Sequence, residues 1–127
     1  TSYKQKGTMA TVDYFERKLD DKRRLTIPVE IRHEFESGVV VTRGFSNYLH
    51  VYPKSVWDEQ VEPLLQGNIL DENTADLNVK FRTGKCESPL DQKQGRITLE
   101  ASLLEYAGIT HAITAVRAGR YWRIMAA

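Results

Sequence analysis

One cysteine, Cys86, is all the chain has. An internal disulfide is therefore excluded, and a reducing compartment suits the protein. Long apolar runs are missing too: no stretch approaches the roughly 20 residues a membrane-spanning helix needs, so no membrane partner is expected. The histidines number three, and His33, His50 and His111 lie far apart, with no metal-type spacing among themselves or to Cys86. No metal site is expected. A glycine-rich phosphate loop is absent, since Gly84 and Gly95 make no Walker pattern. Asp20 and Asp21 are adjacent carboxylates that an extended segment points to opposite sides, which is not the arrangement of an acid/base pair. Cys86 has no evident histidine partner to activate it. These absences lead to an expectation of no enzyme activity, no cofactor and no small-molecule substrate.

Net charge is also nearly absent, at +1, and gives no support to a nucleic-acid partner, which favours a basic face. Its distribution is more informative. Arg17, Lys18, Lys22, Arg23 and Arg24 fall within eight residues, interrupted only by Leu19, Asp20 and Asp21. Asp58, Glu59, Glu62, Asp71, Glu72 and Asp76 gather further along. The charge is polarised along the chain although its sum is small. With 41% hydrophobic and 28% charged residues, the composition is that of an ordinary globular protein. Thr1–Thr8 is polar and basic with no apolar segment after it, unlike a secretory signal. Residues 1–9 read as a flexible leader, with Met9 a candidate natural start.

What organises the remainder is an internal repeat. Residues 19–28 read Leu-Asp-Asp-Lys-Arg-Arg-Leu-Thr-Ile-Pro, and residues 90–99 read Leu-Asp-Gln-Lys-Gln-Gly-Arg-Ile-Thr-Leu. Both are Leu-Asp-x-Lys, a short turn, then Arg-apolar-Thr-apolar, and the second turn has one extra residue. An apolar-spaced segment follows in each: Val29, Ile31 and Phe35, then Ala101, Leu103, Leu104 and Ala107. Next come β-rich runs at Val39–Arg43 and Ile113–Arg117, turns at Gly44 and Gly119, and aromatic-rich strands at Tyr48–Tyr52 and Tyr121–Met125.

One unit therefore reads strand, turn, strand, short helix, strand, turn, strand. Thr11–Leu19 suits the first strand, and Pro28 suits the first turn of the helix. Between the units, Val56, Trp57, Gln60, Val61, Leu64 and Leu65 follow helical spacing. A second helix is expected over Asp71–Arg82, with Asp71 as N-cap and Leu77, Val79 and Phe81 among its apolar positions. The expected division is a first repeat over 10–55, connecting helices over 56–84 and a second repeat over 85–127. A unit of about 45 residues buries too little apolar surface to be stable alone. Two units completing one another as a pseudo-dimer form one compact body. The aromatics Tyr14, Phe15, Phe35, Phe45, Tyr48, Tyr52, Trp57, Tyr106, Tyr121 and Trp122 are spread over strands and helices. They read as core and interface residues rather than base-stacking ones, with Trp57 and Tyr106 packing helix on sheet.

Residues 19–28, Val41-Thr42-Arg43-Gly44, Leu49-His50-Val51-Tyr52-Pro53, Lys93-Gln94-Gly95-Arg96-Ile97 and Leu104–Ile109 together resemble the MraZ family, within the wider AbrB-type swapped-hairpin group. The resemblance spans roughly residues 10–125. It implies a mainly β fold with short helices (α+β), a double swapped-hairpin AbrB-like β-barrel made of two tandem repeats. It also implies a cytoplasmic, nucleoid-associated repressor of the bacterial division and cell-wall gene cluster. Such a protein forms ring-like homo-oligomers and binds short direct repeats in double-stranded promoter DNA. The family signature, Asp-x-x-x-Arg, is matched by Asp20 and Arg24. The glycine usual before the arginine is Arg23 here. In the second repeat Gly95 and Arg96 match, but Gln92 stands where the aspartate belongs and Asp91 sits one place early. Either that repeat contributes less to DNA binding, or its turn bulges so that Asp91 still reaches Arg96.

Arginine can take two acceptors on a guanine edge or bridge phosphate oxygens. An aspartate across a tight turn could hold that fork in one orientation, or could simply cap the turn. Bare sequence leaves DNA contact and a structural turn salt bridge equally open, and the resemblance favours DNA contact. The expected DNA-binding residues are Lys22, Arg23, Arg24, Lys93 and Arg96, with Asp20 and Asp91 orienting them. Lys22 and Arg23 would touch phosphates, which position a protein without reading sequence. Arg17 and Lys18 read as a solvated strand end, and Arg43 and Arg117 as packing or salt-bridge residues. The competing function is an oligomeric protein-interaction module of the same fold that has left DNA behind. An antitoxin-like autorepressor fits less well, because both halves read as the same unit.

Overall fold

The computed structural model describes residues 12–68 and 70–127. The leader expected over 1–9 lies outside the described residues. Among these residues eight strands form: β1 (Tyr14–Lys18), β2 (Arg24–Thr26), β3 (Val39–Arg43), β4 (Leu49–Pro53), β5 (Cys86–Ser88), β6 (Arg96–Thr98), β7 (Ala112–Arg117) and β8 (Trp122–Ala126). A 3-10 helix, Val29–Phe35, separates β2 from β3. The central segment is helical: α1 (Lys54–Val56) runs through a π-helical turn, Trp57–Val61, into α2 (Glu62–Leu65), and α3 (Glu72–Arg82) follows. α4 (Ala101–Ala107) separates β6 from β7 and ends on Gly108 in the left-handed region, the conformation that closes many helices.

The fold is mainly antiparallel sheet with short helices, as the resemblance implies. Its larger sheet has the order β1-β7-β8-β4-β3-β5, and β2 pairs with β6 in a separate two-stranded ribbon. Exchanging β1 with β5, β2 with β6, β3 with β7 and β4 with β8 turns that order into its own reverse. The molecule thus has a pseudo-twofold axis passing between β4 and β8 and through the ribbon. It is also swapped: β1 pairs with β7, Tyr14 facing Val116, while β5 pairs with β3, Ser88 facing Val39. Each half lends its first strand to the other.

The main core lies under the ribbon. Leu25, Ile27, Ile31, Phe35, Ile97, Leu99 and Leu103 pack with Phe15, Leu49, Ile113 and Trp122, all close to fully buried. A second cluster, Val40, Tyr52, Trp57, Leu65 and Phe81, seats the helical segment on the opposite face of the sheet. His50 stands at its edge, fully buried among Phe45, Tyr48, Tyr52, Phe81 and Tyr121. Arg82 clasps Glu62 with its two terminal guanidinium nitrogens, Nη1 and Nη2, and ties α3 to α2.

Local differences from the sequence reading have physical causes. β1 spans Tyr14–Lys18 within the expected Thr11–Leu19, and Thr11 is outside the described residues. Pro28 sits one place before the 3-10 helix, with φ −54° and ψ 140°; its ring fixes φ while ψ stays extended, which suits the residue that feeds a helix. Asp71 caps α3 by accepting the Asn73 amide and the Thr74 hydroxyl. Val29 (70% exposed), Leu64 (78%) and Val79 (67%), which follow the apolar spacing of their segments, are exposed. Helical spacing puts them near buried neighbours, but each lies on the side of its turn that no other element covers. Among the aromatics, Phe15, Phe35, Tyr52, Trp57 and Trp122 are buried, whereas Tyr14 and Phe45 are more than half exposed.

Candidate nucleic-acid interface

β2 and β6 are only three residues each, and antiparallel pairing sets Arg24 opposite Thr98, Leu25 opposite Ile97 and Thr26 opposite Arg96. Side chains alternate across a strand. Leu25 and Ile97 point into the core, at 0% and 1% exposure, and anchor the ribbon. Arg24, Thr26, Arg96 and Thr98 form the outward face. This brings Arg24 and Arg96, far apart in sequence, onto one surface.

A loop precedes each strand, and the two loops are built alike. In the first, the Asp20 amide donates to the Arg24 carbonyl at 3.1 Å and the Arg23 amide donates to the Asp20 carbonyl at 3.1 Å. In the second, the Asp91 amide donates to the Arg96 carbonyl at 2.9 Å and the Gly95 amide donates to the Asp91 carbonyl at 2.6 Å. The aspartate side chains fill the same place. Asp20 Oδ1 accepts the Lys22 and Arg24 amides at 2.9 and 2.8 Å. Asp91 Oδ1 accepts the Lys93 and Gln94 amides at 2.9 and 3.3 Å. The extra residue is absorbed as a bulge, so Asp91 Oδ2 still accepts from Arg96 Nη2, at 3.4 Å.

Asp20 does more than close its turn. Its Oδ2 accepts Arg24 Nε at 2.6 Å and lies 3.7 Å from Arg96 Nη1. One carboxylate thus stands between the two guanidiniums and fixes their spacing. Partial burial works to raise the Asp20 carboxyl, but the Arg24 and Lys22 amides and the Arg24 guanidinium outweigh it and hold the group at about 2. Asp91 is held below the ordinary carboxylate range by the Lys93 and Gln94 amides. Both carboxylates are ionised at neutral pH.

Arg23 takes φ 61°, the one positive φ at a non-glycine among the described residues. Gly95, its counterpart, has φ 66°. The backbone demand is the same in both loops, and Arg23 meets it at a steric cost that glycine avoids. Lys22, Arg23 and Lys93 are exposed. Sequence reasoning missed Arg32. It rises from the 3-10 helix, donates Nε to the Ile27 carbonyl at 2.8 Å, and lays its guanidinium against Gly95. Lys22, Arg23, Arg24, Arg32, Lys93 and Arg96 gather on the ribbon and its rims, with Asp20, Asp21 and Asp91 set among them.

Other arginines are engaged elsewhere. Arg117 pairs with Asp13 at 2.9 Å and Glu34 at 3.0 Å and covers the Trp122 ring. Arg43 lies over Tyr106, 4.7 Å from its centroid. Arg17 and Lys18 are exposed on β1. Cys86 opens β5, and its thiol is raised by burial. Among the described residues no cluster of His, Cys, Asp and Glu could hold a metal, and no helix is long and apolar enough to cross a membrane.

Comparison with known proteins gives a consistent answer. A family model described as "MraZ protein, putative antitoxin-like" matches residues 13–79. The chain is 35% identical over 112 residues to the transcriptional regulator MraZ of Roseiflexus sp. (strain RS-1), covering 88% of this chain and 78% of that protein. It is 34% identical over 110 residues to its namesake in Roseiflexus castenholzii, covering 87% and 76%. With that of Herpetosiphon aurantiacus it shares 37% over 97 residues, covering 76% and 67%.

Proposed function

The chain belongs to the MraZ family, and from that premise we propose that it is a sequence-specific DNA-binding transcriptional regulator. In this reading it is a cytoplasmic, nucleoid-associated repressor and has no enzyme activity. It binds short direct repeats in promoter DNA of the division and cell-wall gene cluster and blocks access by polymerase. The observation that carries the reading is the β2–β6 ribbon, whose Arg24 and Arg96 are spaced by one shared carboxylate, Asp20. A two-stranded ribbon fits the major groove, where an arginine fork can take guanine O6 and N7 together. Lys22, Arg23 and Lys93 on the flanking loops contact phosphates and set register. Asp20 and Asp91 hold the arginines ready, so less side-chain freedom is lost on binding.

The repeats 10–55 and 85–127 act as one pseudo-dimeric unit, with 56–84 packed against it. A single ribbon makes few contacts. Several ribbons on one homo-oligomer, closing head to tail into a ring, meet several direct repeats and gain affinity through effective concentration.

The test is selection of duplexes from a random pool, then fluorescence anisotropy on the selected and scrambled duplexes at two salt concentrations, with Arg24→Ala alongside. Expected is salt-sensitive binding that prefers the selected duplex. Arg24→Ala should lose that preference, worth about 1–3 kcal/mol for one bidentate base contact, with its melting temperature close to that of the parent. No preference and no effect of the substitution, in a folded protein, would assign the fold to protein interaction instead.

A further inference from the structure

Beyond the extra residue of the second turn, the pseudo-twofold that relates the two loops is broken at two linked pairs of positions, and the breaks compensate one another. Residue 23 corresponds to residue 95, and residue 27 to residue 99. The Ile27 amide donates to the Gly95 carbonyl at 2.7 Å, and the Leu99 amide donates to the Arg23 carbonyl at 2.9 Å. Residue 32, on the 3-10 helix, corresponds to Leu104 on α4. On one side of the ribbon the loop residue is Gly95, and the guanidinium comes from the helix: Arg32 Nε donates to the Ile27 carbonyl. On the other side the helix offers apolar, buried Leu104, and the guanidinium comes from the loop: Arg23 Nε donates to the Leu99 carbonyl at 3.3 Å. A side chain at 95 would collide with Arg32 Nε and Cζ, so a loop arginine and a helix arginine exclude one another at the same place. Both sides end with one guanidinium on the carbonyl that follows the ribbon strand.

We propose that Arg32 is a phosphate-binding residue of the ribbon, filling on its side of the pseudo-twofold the place that Arg23 fills on the other. The inference rests on the DNA-binding reading above. Each guanidinium is held through Nε, and among the described residues neither Nη nitrogen of Arg32 or of Arg23 has a hydrogen-bond or carboxylate partner. A fork held at its elbow with both tips free is suited to two phosphate oxygens. Arg23 is thus a relocated cation, where sequence alone showed a lost glycine.

Phosphate contacts are independent of sequence, so the probe is a mixed-sequence duplex. Anisotropy over a range of salt concentrations gives the slope of log K against log salt, which falls in magnitude by about 0.9 for each phosphate contact removed. Arg32→Gln is expected to lower the slope by about that amount and weaken binding several-fold, and Arg32→Lys to retain the slope. A folded Arg32→Gln with the parental slope would overturn the proposal and leave Arg32 as a brace for the Ile27 carbonyl. If the parent protein itself shows no salt-dependent binding, the DNA reading fails and the proposal falls with it. The mirror pair guards against a misfolded Arg32→Gln. Arg23→Gly should lower the slope equally, and adding Leu104→Arg should restore it. A folded double variant that does not recover the slope would refute the equivalence of the two places.

Discussion

Replacing Gly95 by alanine tests the seating of Arg32 without any DNA. Gly95 is buried, has φ 66°, and lies directly beneath the Arg32 guanidinium. A methyl group there forces Arg32 away and breaks its bond to the Ile27 carbonyl, a loss of about 1 kcal/mol. The left-handed conformation costs an L-residue a further 1–2 kcal/mol or so. The narrower unfolded ensemble of alanine offsets roughly 0.5 kcal/mol of this. The net expectation is a destabilisation of about 2 kcal/mol. With Arg32→Ala already in place the hydrogen bond is gone, and the same change should cost only about 1 kcal/mol. The four proteins of the cycle can be compared by urea denaturation, with the buried Trp57 and Trp122 as fluorescent reporters. A coupling of about 1 kcal/mol is expected between sites in contact. A coupling indistinguishable from zero would mean that Arg32 does not rest on Gly95, and the geometry behind its proposed role would be wrong.

Asp20→Asn removes a negative charge from the ribbon, so a surface that merely attracts DNA would bind more tightly. Because Asp20 spaces Arg24 from Arg96, we expect the preference for a selected duplex over a scrambled one to fall several-fold; unchanged preference with tighter binding would refute the orienting role. His50 makes a pH prediction. Burial, aided by Arg123, pushes its imidazole down to about 4, against about 6.5 unfolded. As pH falls from about 6.5 towards 4 the unfolded chain takes up a proton that the fold refuses. Stability therefore falls across that window, by up to about 3 kcal/mol, and is flat with respect to this group above it. Urea midpoints of the parent should drop between pH 7 and 4.5 more steeply than those of His50→Gln; parallel curves would refute the assignment.

The sequence made some features legible and left others out of reach. Asp20 and Arg24 stand four apart in a local turn, and local geometry is what a motif encodes. The second loop was ambiguous because an inserted residue can either break a turn or bulge out of it. The hydrogen-bond pattern around Asp91 decides for the bulge, and no spacing rule contains it. The meeting of Arg24 and Arg96 depends on the register of two three-residue strands, too short to show a period. Nothing in the local spacing singles out Arg32. A signal was present, because aligning the two units position by position shows arginine and glycine exchanging at 23 and 95 while arginine and leucine stand at 32 and 104. Val29, Leu64 and Val79 follow apolar spacing yet stay exposed, because periodicity marks a face without saying whether anything covers it.

The broken twofold has a consequence for polarity. A ribbon with perfect twofold symmetry looks the same to DNA from either direction, and its natural target is a palindrome. Two copies of one gene product could never differ at a single loop. Joined in one chain, the two halves are encoded separately, and here one rim carries its flanking arginine on the loop and the other on the helix. One rim also has the longer, bulged turn. Such a ribbon has a head and a tail. A module with direction can be laid along a duplex in the same sense again and again, which is what a direct repeat asks of its reader and an inverted repeat does not.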